Sequence, residues 1–228
     1  ETWVERLARV GFDTVARATL TVNYRTPEEV MAVAEPVIRA AVGQAMREMG
    51  RQFVLGETIE KAMDRAQKRE AEGYTFSYDM LGEAALTAAD AERYRLAYAQ
   101  AIAAIGTAAT RGSVAANPGI SIKLSALHPR YEVAQEARVM AELVPILRDL
   151  ARAAAAAGIA LHIDAEEQDR LALSLRVMAA VIADPETAGW QGFGAVVQAY
   201  GKRAGAAIDT LAAMARATGR RINIRLVK

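Results

Sequence analysis

From Gly73 onward, five short segments alternate apolar and polar residues, and a long helical segment follows each of the first four. The short segments are YTFSYD (74–79), ISIKLS (120–125), IALHIDA (159–165), FGAVVQA (193–199) and INIRLV (222–227). The connectors have helical periodicity, and two of them close on glycine. Strands separated by helices, without hairpin turns, pair in parallel. This order predicts an α/β fold and leaves two architectures open, a doubly wound sheet and a closed barrel.

The faces of the strands separate the two. Interior strands of an open parallel sheet are covered on both sides and tend to be apolar throughout. Here Ile120, Ile122 and Leu124 oppose Ser121, Lys123 and Ser125. Likewise Ile159, Leu161 and Ile163 oppose His162, Asp164 and Glu166, and Ile222, Ile224 and Leu226 oppose Asn223 and Arg225. Thr75, Ser77 and Asp79 share a face in the first strand, while Gln198 shares its face with Val196. A polar face that recurs in at least four strands predicts a (β/α)8 TIM-type barrel whose sites lie at the carboxyl ends of its strands. Five strands do not close such a barrel. The expectation is therefore its first five β/α units over 73–228, cut within a longer protein, with a helical region over 1–72 before it.

Within that helical region RTPEEV is a start signal, with Thr26 as cap, Pro27 at the first helical position and Glu29 closing a capping box. Pro36 restarts or kinks the helix that follows. After Gly56 a further helix, charged on most sides, ends at Gly73.

Composition narrows the function. With 28 basic and 27 acidic residues, the chain carries no electrostatic footprint for nucleic acid. It has no cysteine, which removes disulfides, thiolate catalysis and zinc–thiolate sites. Two histidines, His128 and His162, are too few for a histidine-rich metal centre. There is no GxGxxG and no Walker motif. No apolar run reaches the length of a bilayer span and no signal peptide opens the chain, so a cytoplasmic location is expected.

The candidates are the polar residues at strand ends. Asp164 is read as functional or as an acid of the next helix's first turn, an explanation that suits Glu166 and Glu167 at least as well. Lys123, taken as mid-strand, is a structural ion pair, a clamp for a substrate carboxylate, or a Schiff-base amine. Arg225 can pair with Asp164, orient a cofactor or stabilise negative charge. Gln198 offers both donor and acceptor, as a heterocycle edge requires. His162 is expected to be a core histidine with a satisfied ring, and His128 to lie in a turn shaped by Pro129.

Together YDMLGEAALT, PGISIKLSALHPRY, IDAEE, GFGAVVQAY and IRLVK resemble, in order from about Gln52 to Lys228, the proline dehydrogenase domain of bacterial bifunctional proline utilization A. The resemblance implies a distorted barrel that binds FAD non-covalently. It implies oxidation of L-proline to Δ1-pyrroline-5-carboxylate by hydride transfer to flavin N5, with electrons passed to a membrane quinone. Lys123 then matches the lysine on the proline carboxylate, and Asp164 and Arg225 the aspartate and arginine at flavin and substrate. Ala165, Gln198 and Val227 match further flavin contacts. Glu83 matches a gate glutamate that pairs with a substrate-binding arginine, and Asp79 an aspartate at the first strand end. The implied partners are a covalently linked aldehyde dehydrogenase domain, a membrane surface met peripherally and, as an option, further copies of the chain. Paired arginines for the carboxylate and much of the FAD site are expected outside these residues, as is any DNA-binding segment. The alternatives are a Schiff-base barrel enzyme using Lys123 and a non-catalytic helical interaction module.

Overall fold

The computed structural model describes residues 27–80 and 82–228, and the chain divides into two compact units, 1–57 and 58–228. In the first unit one helix, α1, spans Pro27–Phe53 with Pro36 inside it and no break. The expected cap at Thr26, with its capping box to Glu29, lies outside the described residues.

The second unit begins with helix α2, Ile59–Ala71. Thr58 caps it by accepting from the Lys61 amide, and Gly73 leaves it at φ +95°, a conformation that side chains with a Cβ rarely adopt. The sequence reading ended the helical region at residue 72, whereas α2 belongs with the strands. Its small buried residues, Ala62 and Ala66, let it lie against the next helix.

The strands are β1, Ser77–Asp79; β2, Gly119–Ile122; β3, Ala160–Ile163; β4, Phe193–Gln198; and β5, Asn223–Val227. They form one parallel sheet in sequential order, β1-β2-β3-β4-β5. Helices α3 (Ala88–Gly106), α4 (Glu136–Ala156), α5 (Leu171–Ile182) and α6 (Ala204–Thr218) connect them. A doubly wound sheet reverses its strand order at a switch point, and no reversal occurs among these five. Each helix contacts the next along the chain, α3 with α4, α4 with α5 and α5 with α6.

The core fills the space between these helices and one face of the sheet. Ile120, Ile122, Leu161, Ile163 and Ala195 on the strands meet Ile105, Leu143, Leu147, Leu173 and Val177 on the helices, all fully buried. Burying a side chain of this size contributes about 1.5–3 kcal/mol. Thr87 and Asp90 form a reciprocal capping box that fixes where α3 begins. At the other end of the unit, buried Asp184 accepts from Arg152 Nε at 2.7 Å and its carbonyl accepts from Arg220.

The opposite face carries the polar residues, aligned across strands. Asp79 stands beside Ser121, Ser121 beside His162, His162 beside Gly194, and Gly194 beside Asn223. Lys123, Asp164, Val196 and Arg225 make the next layer. One boundary differs from the sequence reading, because β2 stops at Ile122 and Lys123 is not mid-strand. The amide of Lys123 donates to the hydroxyl of Tyr98 at 3.2 Å instead of continuing the ladder, and a helical turn, Leu124–Leu127, follows at once.

Candidate active site

The site is a chain of charges across the carboxyl ends of β1, β2, β3 and β5. Lys123 Nζ donates to both oxygens of Asp79, at 2.7 and 2.8 Å, and to Asp164 Oδ2 at 3.2 Å. Asp164 receives Arg225 Nη2 on its other oxygen at 2.8 Å. The same Nη2 donates to Ser121 Oγ at 2.8 Å, and Ser121 meets Ser77 Oγ at 3.2 Å. Asp164 is thus clamped between two cations, one just past the end of β2 and one on β5.

Environment sets the charges. Burial raises the Asp164 carboxyl above its usual range, with nearby Asp79 adding to it, and Lys123 and Arg225 pull the other way. For Lys123 burial lowers the pKa, but Asp79 and Asp164 together outweigh burial and the net shift is upward. A Schiff-base lysine needs the reverse, a neutral amine at working pH. Burial, helped by the Arg225 charge, pushes His162 down to about 4, so its ring is neutral at physiological pH. Its Nδ1 is buried with no hydrogen-bond partner among the described residues, which corrects the expectation of a satisfied core histidine. The ring lies so close to Gly194 on the next strand that a Cβ there would come within 2.2 Å of its Cδ2.

Gln198 is held rather than free. Its amide nitrogen donates to the carbonyl of Glu166 at 3.1 Å and more weakly to that of Ala165, while its oxygen accepts from Gln168 at 2.6 Å. Asp164, Ala165, Val196 and Gln198 line a crevice between the ends of β3 and β4. Val227 lies at the end of β5, half-open to solvent, beside Gln198 in the register. Glu83 is exposed and has no ion pair among the described residues, so it stands outside the cluster. The loop carrying it is stapled to the site by Ser125, whose Oγ accepts from the Ala84 amide at 3.0 Å, and Ala84 itself has φ +54°.

Glu166 and Glu167 separate here, and neither lies in a helix's first turn, because α5 begins only at Leu171. Glu166 Oε1 accepts from the amide of Ser125 at 3.1 Å and so satisfies the turn after β2 from the neighbouring strand. Glu167 is exposed and pairs with Arg170. Burial raises the Glu166 pKa, so its ionised form opposes folding, by a cost that builds up as pH rises from the unfolded to the folded value and is fully present above it. Glu166→Gln keeps the acceptor and drops the charge. It is expected to raise the melting temperature at neutral pH by a degree or more, with the gain shrinking as pH falls towards about 4.3, the ordinary glutamate value, and vanishing below it. Melting curves at two pH values check this, and an unchanged gap would refute it.

The sequence reading did not single out Tyr98. It is a buried tyrosine on alanine-rich α3, aligned at helical spacing with Ala91, Ala101, Ile102 and Ile105, and burial pushes its pKa up to about 12. That apolar stripe disguised a hydroxyl that stops a strand. His128, by contrast, sits where its proline predicted, its Nδ1 accepting from Arg130 N and its Nε2 meeting Glu142. No group of metal-binding side chains occurs among the described residues, and no described helix is long and apolar enough to cross a membrane.

A parallel β/α scaffold with ion-paired residues at the carboxyl ends of its strands defines the class as α/β, with its site where enzymes of such folds keep theirs. The chain belongs to the proline dehydrogenase family, whose model matches residues 62–228. It is 55% identical over 194 residues to the bifunctional protein PutA of Salmonella typhimurium, a match covering 85% of this chain and 15% of that protein. Against the bifunctional protein PutA of Rhizobium meliloti it is 50% identical over 223 residues, covering 96% and 18%. A crystal structure of mutant proline utilization A from Bradyrhizobium japonicum superposes with a TM-score of 0.73 at 49% identity, over 96% of this chain and 23% of that one. Proline utilization A from Bdellovibrio bacteriovorus, inactivated by N-propargylglycine, shares the fold at 22% identity with a TM-score of 0.78, over 98% and 24%. The chain therefore spans less than a fifth of the curated relatives' length.

Proposed function

We propose that these residues form the first part of a proline dehydrogenase domain that oxidises L-proline to Δ1-pyrroline-5-carboxylate, for which FAD would supply the hydride acceptor and a membrane quinone would be the final electron acceptor. The observation that carries this reading is the Lys123–Asp164–Arg225 cluster at the strand ends, in a chain of this family. The sequential sheet order, with a polar face opposite the helices, supports closure into a (β/α)8 barrel by strands supplied elsewhere in a longer protein. That protein would also carry the aldehyde dehydrogenase domain and touch the membrane peripherally.

The donor set suits a flavin. Arg225 has a buried Nε with no partner among the described residues and a guanidinium still partly open to solvent. Beside it stand the Gln198 amide, the Ala165 backbone and Val227, which would hold the ring system's edge. The bound cofactor supplies a two-electron acceptor. The chain's own residues do the positioning, which is most of the catalysis in a hydride transfer. Lys123 receives the substrate carboxylate. Arg225 stabilises the negative charge that develops on the acceptor, and Asp164 holds both cations in register. Glu83 is assigned to the gate.

The test is a visible spectrum of the whole protein under anaerobic conditions. Flavin bands bleached by L-proline support the reading. Flavin that stays oxidised would remove the substrate, and trapping of a carbonyl compound on Lys123 by borohydride would favour the Schiff-base alternative.

A further inference from the structure

Lys123 cannot receive a substrate carboxylate in the arrangement described. An ammonium has three protons. Two point to the oxygens of Asp79, at 2.7 and 2.8 Å, and the third to Asp164 Oδ2, at 3.2 Å. All three donors are engaged, so an incoming carboxylate must displace one of these oxygens.

The two aspartates are not equally replaceable. The Asp164 side chain is 15% exposed and is also held by Arg225, so moving it would leave two cations short of their acceptor. The Asp79 side chain is 45% exposed, the fork to Lys123 is the only hydrogen bond it makes among the described residues, and water can solvate it as it withdraws. Its strand, β1, is only three residues long.

We propose that the Asp79 carboxylate is a built-in stand-in for the substrate carboxylate, and that substrate binds by exchange, taking the Lys123 protons that Asp79 gives up. The proposal rests on Lys123 being the carboxylate clamp and adds a positioning residue that sets the binding constant. Asp79 keeps the ammonium charged, oriented and desolvated before substrate arrives, at the cost of competing with it. A binding-competent state that must first be released lowers the apparent affinity by its fractional population.

The test measures binding, by calorimetry on the whole flavin-loaded protein, of tetrahydrofuran-2-carboxylate, a ring acid that has the carboxylate and no amine to oxidise. Asp79→Asn keeps the shape and removes the competing charge. It is expected to lower Kd about tenfold, the equivalent of one hydrogen bond to a charged group. The neutral carboxamide of the same ring should bind both proteins equally. Asp79→Ser should show the same sign, so that a poorly folded Asn variant does not decide the matter. In a Lys123→Ala background Asp79→Asn should change nothing, because the exchange passes through that ammonium.

An unchanged or raised Kd for Asp79→Asn and Asp79→Ser overturns the proposal. Equal tightening with and without Lys123 also overturns it, since a general charge effect would then be at work. If Lys123→Ala alone binds the acid as wild type does, the clamp reading itself fails. If Lys123→Ala weakens binding while the Asp79 variants do not tighten it, only the exchange fails.

Discussion

Arg225→Met should slow the reduction of flavin by L-proline about 100- to 1000-fold, the usual loss when one preorganised charge at a developing anion is removed. Methionine fills the space of arginine's apolar stem, so the change removes chiefly the charge and the hydrogen bonds it makes. The geometry explains why the loss should be near the upper part of that range. Nη2 is fixed from two sides, by Asp164 Oδ1 and Ser121 Oγ, each at 2.8 Å. A cation held in this way does not need to reorganise as charge develops. Its removal has a second consequence at Asp164, whose carboxyl burial already raises and which would keep only Lys123 as a compensating cation. The Asp164 pKa should therefore climb further, and the acidic limb of the pH–rate profile should move to higher pH in the variant. Stopped-flow reduction across a pH series reads both effects. A variant reduced at the wild-type rate would remove Arg225 from the chemistry. A slow variant with an unmoved acidic limb would mean that Asp164 does not feel the guanidinium.

The parts of the fold that were legible in the sequence are those governed by periodicity. Alternation put Ser121, His162 and Asn223 on one face, and the register aligns them across neighbouring strands. What alternation does not contain is where a strand stops. Lys123 has the right phase for β2, yet Tyr98, twenty-five positions earlier on a helix, takes its amide proton and ends the strand before it. Residue type likewise named Asp164 and Arg225 but could not assign Glu166. A carboxylate after a strand looks like a helix-start acid, and only the neighbouring strand shows that its hydrogen-bond partner is the Ser125 amide. His162 illustrates the same limit from the other side. Its phase was plain, while its Nδ1, unpartnered among the described residues, depends on what the adjacent strand leaves room for.

That room is provided by Gly194, and its loss should be the costliest single change in the sheet. A Cβ built there would lie 2.2 Å from His162 Cδ2 and 2.6 Å from Nε2, distances that atoms do not tolerate. Neither side can yield cheaply. β4 is paired on both edges, and its other face carries Phe193 and Ala195, which are buried under the helices. The ring of His162 is itself buried and neutral, its pKa depressed by that burial and by the charge of Arg225. Gly194→Val is the informative substitution, because valine is favoured in strands and glycine is not, so propensity alone predicts a gain. We expect instead a loss on the order of 3 kcal/mol from overpacking, a fall in melting temperature of about 6–12 °C for a domain of this size. His162→Ala in the same chain should restore most of it, since the clash is with that ring. A single variant that melts within about 1 °C of wild type, well inside that expected fall, would show that the strand or the ring can move. A double variant no better than the single would place the strain elsewhere. Recovery in the double variant would mean that a glycine with no chemistry of its own seats the neutral histidine within reach of the Arg225 charge, and so fixes the floor of the site.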